Sequence, residues 1–271
     1  FKDGVPVLDL PTDFQRPTQQ SYHRNTIKRN IPVELSESLR KLSAKHGMSL
    51  FMTMLTTVNA LLKKYTGQQD LVIGTTVSGR DHVELENQLG FYVNTIPLRT
   101  QLEDKETFES LLAKVKEVTL SGFEHQAYPF DMIVDNLNLE RDMSRSLLFD
   151  VLVELHNVDI EGERGLKMDD VNIESYDLDF SLSKFDLAFH FTERRENIYV
   201  AFEYNADLFT SVRMERLIDY YLNLLEVVSG NERILLSDIK LITDAEQEVI
   251  FHHLNKSDVR YPKDKSIVDL F

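Results

Sequence analysis

The sequence contains no cysteine. That absence removes disulfides, cysteine nucleophiles and thiolate metal sites together, and it fits a cytosolic protein. Basic residues are in deficit: 30 Lys and Arg stand against 45 Asp and Glu, a formal net charge of −15. Phosphate backbones need clustered Lys and Arg, and anionic membrane surfaces attract polybasic segments. Neither a nucleic acid nor a membrane is therefore expected as a partner. No apolar run approaches the roughly 20 residues of a membrane span. The opening FKDGVPVLDL has no basic stretch followed by an apolar one, so it does not read as a secretion signal. Internal repeats and low-complexity stretches are also missing.

What is present describes an ordinary globular chain, 42% hydrophobic and 28% charged over 271 residues. That length buries one large core or two modest ones. The chain opens on Phe1 without an initiator Met and stops on Phe271, and it reads as a piece of something longer.

Periodicity predicts mixed elements. Residues 1–20 form a proline-punctuated, extended lead-in. A strand over SYHRNTIKRNIPV gives way to a helix carrying Leu35, Leu39 and Leu42 on one face, with Gly47 at its C-terminal end. Ser49 is placed to cap the next helix, LFMTMLTTVNALLKKYTG, which is apolar almost all round and hence expected to be buried. DLVIGTTVSG reads as a buried strand, RDHVELENQLG as a polar loop, and FYVNTIPLR as a second strand. Helical spacing returns at 107–124, and Pro129 suits the first turn of a helix FDMIVDNLNL. Four strands are then expected: LLFDVLVELHN, LKMDDVNIESYDL, KFDLAFHFTE and NIYVAFEYN. A long amphipathic helix follows from Thr210 and Ser211 to about Gly230, and Thr243 with Glu246 forms a capping box for a last helix ending near His252. Helices and strands mix without strict alternation, so the expected class is α/β, a layered sandwich around a mixed sheet.

Four phrases stand out from generic α/β sequence: LDLPTDFQRP at 8–17, YTGQQDLVIGTTVSGRDHVELENQLGFYVNTIPLR at 65–99, HQAYPFDMIVDNLNLERDMSRSLLFDV at 125–151 and NKSDVRYPKDKSIVDLF at 255–271. In this order they resemble the later half of a condensation domain from a non-ribosomal peptide synthetase, across essentially the whole chain. The resemblance implies a chloramphenicol-acetyltransferase-like subdomain over 1–253, then a linker and the start of an adenylation domain over 254–271. It also implies amide-bond formation between a carrier-tethered acyl or peptidyl thioester and a carrier-tethered aminoacyl acceptor. Expected partners are the N-terminal condensation subdomain, donor and acceptor carrier proteins and a downstream adenylation domain. No cofactor would bind directly; the carriers deliver phosphopantetheine.

The family's catalytic motif, HHxxxDG, is not found here. His252 and His253 are followed by Asp258 one residue too late, with Val259 where no glycine follows. Surface histidines beside a helix C-terminus suit the dipole, and the catalytic base is expected in the other half. The resemblance further places a floor loop at 77–89 and a latch strand at 158–183, the latter joining the other half's sheet by strand addition.

Candidate tunnel residues follow, each with an alternative. Gly74, Thr75, Ser78 and Gly79 either line the pantetheine path, or the glycines relieve packing and make a turn. Arg80 either holds a carboxylate across the cleft or pairs locally with Asp81 or Glu84. Asn94 either faces the tunnel or bonds a neighbouring loop. Asn157, at a strand end, would aim its amide either at the reacting carbonyl or at the catalytic histidine; the family's commoner Gln-Asn is His156-Asn157 here. Three other readings remain open: a noncatalytic docking module, half of an epimerization domain, and a self-contained acetyltransferase with His82 or His156 as base, neither having a carboxylate at motif-like spacing.

Overall fold

The computed structural model describes residues 1, 4–80, 82–156, 184–254 and 266–270. Among them, six strands form one mixed sheet in the order β1-β6-β5-β4-β2-β3. These are β1 (Arg24–Asn30), β2 (Asp70–Val77), β3 (Asn94–Gln101), β4 (Val151–His156), β5 (Leu187–Glu193) and β6 (Ile198–Asn205). β1–β6, β5–β6 and β2–β3 pair antiparallel, whereas β4 runs parallel to both β5 and β2.

Alternation along the strands sends Ile73, Val151, Val153, Phe189, Phe191, Val200 and Phe202 into one large core. The helices on that face are α1 (Val33–Lys45), α2 (Leu50–Thr66), α3 (Phe108–Glu124) and α5 (Ser211–Gly230). The apolar circumference of α2 is explained by its place: it packs on α1, α3, α5 and β4, so it has no solvent face over most of its length. Its limits are local. Ser49 Oγ accepts from the Met52 amide at 3.3 Å, and Gly67, at φ +75°, returns its amide to the Lys63 carbonyl.

The opposite face is half covered. Val72, Leu148, Phe149, Leu152 and Ala188 form a smaller core with Phe130, Ile133 and Val134 of α4 (Phe130–Leu137) and with Phe1 and Val5 of the lead-in. The lead-in is fastened by polar groups: Arg16 to Asp186 at 3.0 Å, Asp13 to Thr210 and Arg213, and Arg145 to the Leu8 carbonyl. Asp13 Oδ2 accepts from both the Thr210 amide and hydroxyl at 2.8 Å, so the chain's first segment secures the start of α5.

Several expected elements differ in extent. The strand expected from Phe91 begins at Asn94, because Phe91 to Val93 run along the surface with Phe91 90% exposed. The strand expected from Leu147 begins at Val151, residues 147–150 being used to lay Leu148 and Phe149 across the second face. The last helix divides into α6 (Asp244–Glu248) and a π-helical turn, Val249–Leu254. Its capping box is present, Thr243 and Glu246 exchanging bonds of 3.2 Å. The expected strand at 166–178 lies outside the described residues.

Candidate tunnel wall and the polar face of the sheet

Beyond the small second core, that face of the sheet is polar. Glu154 on β4, His190 on β5, Glu203 on β6 and Arg24 on β1 share one face because the register keeps them even numbers of residues apart: Glu154 opposes His190, and Glu203 lies two pairs from His190 and two from Arg24. They form a chain. Glu154 accepts from Thr76 Oγ1 at 2.5 Å and from His190 Nδ1 at 2.8 Å. His190 Nε2 lies 3.7 Å from Glu203, which accepts from Arg24 at 3.0 Å. His156, two residues beyond Glu154 and so on the same face, places Nε2 3.6 Å from the same carboxylate. Burial works against charge on His190, but the hydrogen bonds to Glu154 and Glu203 outweigh it and push its pKa up to about 9. Burial likewise opposes ionisation of Glu154, yet the bonds from His190 and Thr76 hold it below the usual carboxylate range. A cavity of about 360 Å³ opens at the carboxyl ends of β2 and β4, where Ser49, Phe51, Thr75, Thr76, Glu154 and His156 meet.

The candidates from the sequence fall around this rim in different ways. Thr75 is buried on the helix-facing side of β2 and reaches the cavity wall. Gly74 serves packing: a Cβ there would stand 2.0 Å from the Phe149 ring. Gly79 makes a turn at φ +62°, where a Cβ would meet the Tyr92 carbonyl oxygen at 1.9 Å. The Ser78 hydroxyl accepts from the Arg80 amide at 3.4 Å. Arg80 works locally, and among the described residues its partners are carbonyls rather than the Glu84 carboxylate. It donates to Leu85, to Gln88 at 2.8 Å and to Gly90 at 3.3 Å, and stacks 4.5 Å over the Tyr92 ring. One guanidinium thus gathers the 82–90 loop, a role its five donors permit.

Asn94 bonds a neighbouring loop. Its Nδ2 donates to the Gln126 and Tyr128 carbonyls, both at 2.8 Å, and its Oδ1 accepts from the Phe130 amide at 3.1 Å. The first orphan amide of α4 is satisfied this way, since Pro129 at its N-cap has no capping side chain. Asn157, Asp81, Asp258 and the proposed latch at 158–183 lie outside the described residues. His82 accepts from the Glu84 amide in an exposed turn, and His252 sits 3.6 Å from Glu248 one helical turn away. Neither joins the polar chain.

The condensation-domain family model matches residues 1–251. The chain belongs to the condensation-domain family. Gramicidin S synthase 2 of Brevibacillus brevis is 36% identical over all 271 residues, which make up 6% of that synthase. Surfactin synthase subunit 1 of Bacillus subtilis (strain 168) is 34% identical over 271 residues, 8% of its length. The chain therefore spans a small part of these relatives. Among solved structures, a four-domain nonribosomal peptide synthetase bound to AMP and glycine superposes with a TM-score of 0.84 at 21% identity, over 92% of this chain and 20% of that one. The X-domain in complex with OxyB from teicoplanin biosynthesis gives 0.81 at 26% identity, over 88% and 52%. The architecture is the chloramphenicol-acetyltransferase-like layered sandwich of condensation domains.

Two features of this condensation-domain chain were not legible as sites in its sequence. One is the polar chain of Glu154, His190 and Glu203. The other lies beneath the 125–151 phrase: Arg145 donates to Asp150 at 2.8 Å, while Arg16 holds Asp186. Burial drives the Asp150 pKa up, the Asp186 carboxylate adds to it, and Arg145 offsets only part, leaving it at about 6. Asp150 Oδ1 is buried without a hydrogen-bond partner among the described residues.

Proposed function

We propose that the chain is the C-terminal half of a nonribosomal peptide synthetase condensation domain and works only with an N-terminal half that supplies HHxxxDG. In that complex the acceptor's amine nitrogen attacks the donor's thioester carbonyl carbon. The C–N bond forms, the C–S bond breaks, and a proton passes from nitrogen to the departing pantetheine thiol. Both substrates arrive on phosphopantetheine arms of carrier proteins. This half would supply a wall from Thr75, Ser78 and Asn157, a floor loop at 77–89 and a latch at 158–183. Gly74, Gly79, Arg80 and Asn94 would hold that wall in shape, since their partners are Phe149, Tyr92, the 82–90 loop and the start of α4. An adenylation domain would follow the linker after residue 254.

The observation that carries this proposal is one of coverage. The match to the X-domain chain takes in 88% of this chain but 52% of that one, as expected if one of two similar halves is present. The loop supports it too: Leu89 and Phe91 are 102% and 90% exposed, apolar side chains of the kind a second half would cover. A noncatalytic docking module is favoured by a different observation, that the X-domain is solved in complex with OxyB.

The test is an amide-forming assay with acyl- and aminoacyl-loaded carrier proteins, using this chain alone and the same chain joined to its upstream half. No product from the first and product from the second is the expected outcome. Product from this chain alone overturns the half-site. No product from a joined protein carrying an intact HHxxxDG motif favours the docking module.

A further inference from the structure

We infer that Glu154, His156 and His190 form a binding site for one divalent transition-metal ion of the zinc class. One ligand atom from each lies within 4.8 Å of the others. Glu154 Oε2 is 2.8 Å from His190 Nδ1 and 3.6 Å from His156 Nε2. These separations bracket the roughly 3.3 Å between neighbouring ligands when bonds of about 2.0–2.1 Å meet tetrahedrally. Two imidazoles and one carboxylate are a donor set that zinc accepts, and three protein ligands leave a fourth position open. Here that position borders the cavity that Glu154 and His156 help to line.

The surroundings fit a metal centre as well. Ligating histidines usually present their second nitrogen to a carboxylate, and ligating carboxylates are themselves hydrogen-bonded. His190 turns Nε2 toward Glu203 at 3.7 Å, and Arg24 secures Glu203. Glu154 Oε1 is occupied by the Thr76 hydroxyl, leaving Oε2 for the ion. On binding, the ion replaces the proton that His190 Nδ1 shares with Glu154, and that proton goes to solvent.

A second group, His46, Glu109 and Glu232, meets the same distance criterion but is already neutralised. Lys45 is bonded to Glu232, and Arg233 lies 3.4 Å from Glu109. Glu154 is paired instead with His190 and His156, the other two ligands, and with no Lys or Arg among the described residues. The site uses sheet register alone, with two residues alternate on β4 and one opposite on β5, and it is independent of whether the protein forms amides.

The experiment is titration of the purified, metal-free protein with Zn²⁺ by calorimetry, and with Co²⁺ by its visible absorption. One ion per chain is expected. His156→Gln and Glu154→Gln should each weaken binding by at least ~10-fold, and Glu203→Gln, a positioning change, by roughly 10–100-fold. His46→Gln should leave it unchanged. Because His156 is half exposed, His156→Gln should keep the wild-type thermal transition without metal while losing the Zn²⁺-induced rise in Tm. Absence of Zn²⁺ binding at micromolar concentrations overturns the inference. So does binding that survives His156→Gln and Glu154→Gln, or binding that is lost in His46→Gln.

Discussion

Gly74→Ala puts two effects of opposite sign in competition, and the structure decides between them. Glycine inside a strand costs about 0.5–1 kcal/mol relative to alanine, so an uncrowded Gly74→Ala would stabilise the protein by that amount. The site is crowded. The added Cβ would stand 2.0 Å from Cε2 and 2.1 Å from Cζ of Phe149, well inside contact distance. The ring has little room to retreat, being stacked on Phe185 at 5.2 Å and edge-on to Phe130 at 5.9 Å. Overpacking of this kind costs about 1–3 kcal/mol. The steric term therefore wins, with a net loss of about 1–2 kcal/mol, or roughly 2–8 °C in Tm for a chain of this size. Urea denaturation at constant m measures it. Phe149→Leu, which shortens the obstructing ring, should cost about 1–2 kcal/mol alone, and the double variant should lose about 1 kcal/mol less than the sum. Strict additivity, or a Gly74→Ala protein more stable than wild type, would refute the claim that Gly74 exists to admit Phe149.

Asn94→Ala should cost about 1–3 kcal/mol, because two carbonyls and one amide lose their partner at the start of α4. A variant with unchanged denaturation midpoint would return Asn94 to a role facing substrate. Asp150 gives a pH dependence whose sign is set by its raised pKa of about 6 against an ordinary 3.8. The folded state binds that proton more tightly than the unfolded state, so the contribution is fully present below about pH 4 and is lost as pH rises through 6. Asp150→Asn keeps an acceptor for Arg145 and removes the ionisation. Its Tm relative to wild type should therefore rise between pH 4.5 and 7.5 by calorimetry; a difference that falls would contradict the assignment.

Local devices were legible along the chain because their partners are close in sequence. Ser49 and Thr210 cap helices through amides three residues on, and Thr243 meets Glu246. The roles of Gly79 and Asn94 were readable as alternatives, and the structure places each against a neighbouring carbonyl or loop. Arg80 was legible as a local organiser, though not in its choice of carbonyl partners. Its neighbour Asp81 carries the charge that sequence proximity suggests, whereas the loop's carbonyls converge on the guanidinium only once the turn at Gly79 has formed.

By itself the sequence determined the alternation in VLVELH, LAFHFTE and IYVAFEYN, and hence that each strand has an apolar face and a face carrying Glu154, His190 or Glu203. It could not determine that these three residues are neighbours. A period of two assigns a residue to a face, but it carries no information on which strand lies beside which, or in what register. Only the tertiary structure decided that, by setting β4 against β5 and β5 against β6 so that Glu154 opposes His190 at a separation of 36 residues. Arg16 and Asp186, 170 residues apart, meet for the same reason. Short-range geometry writes the elements, and the burial of one shared core chooses which of their polar faces come together.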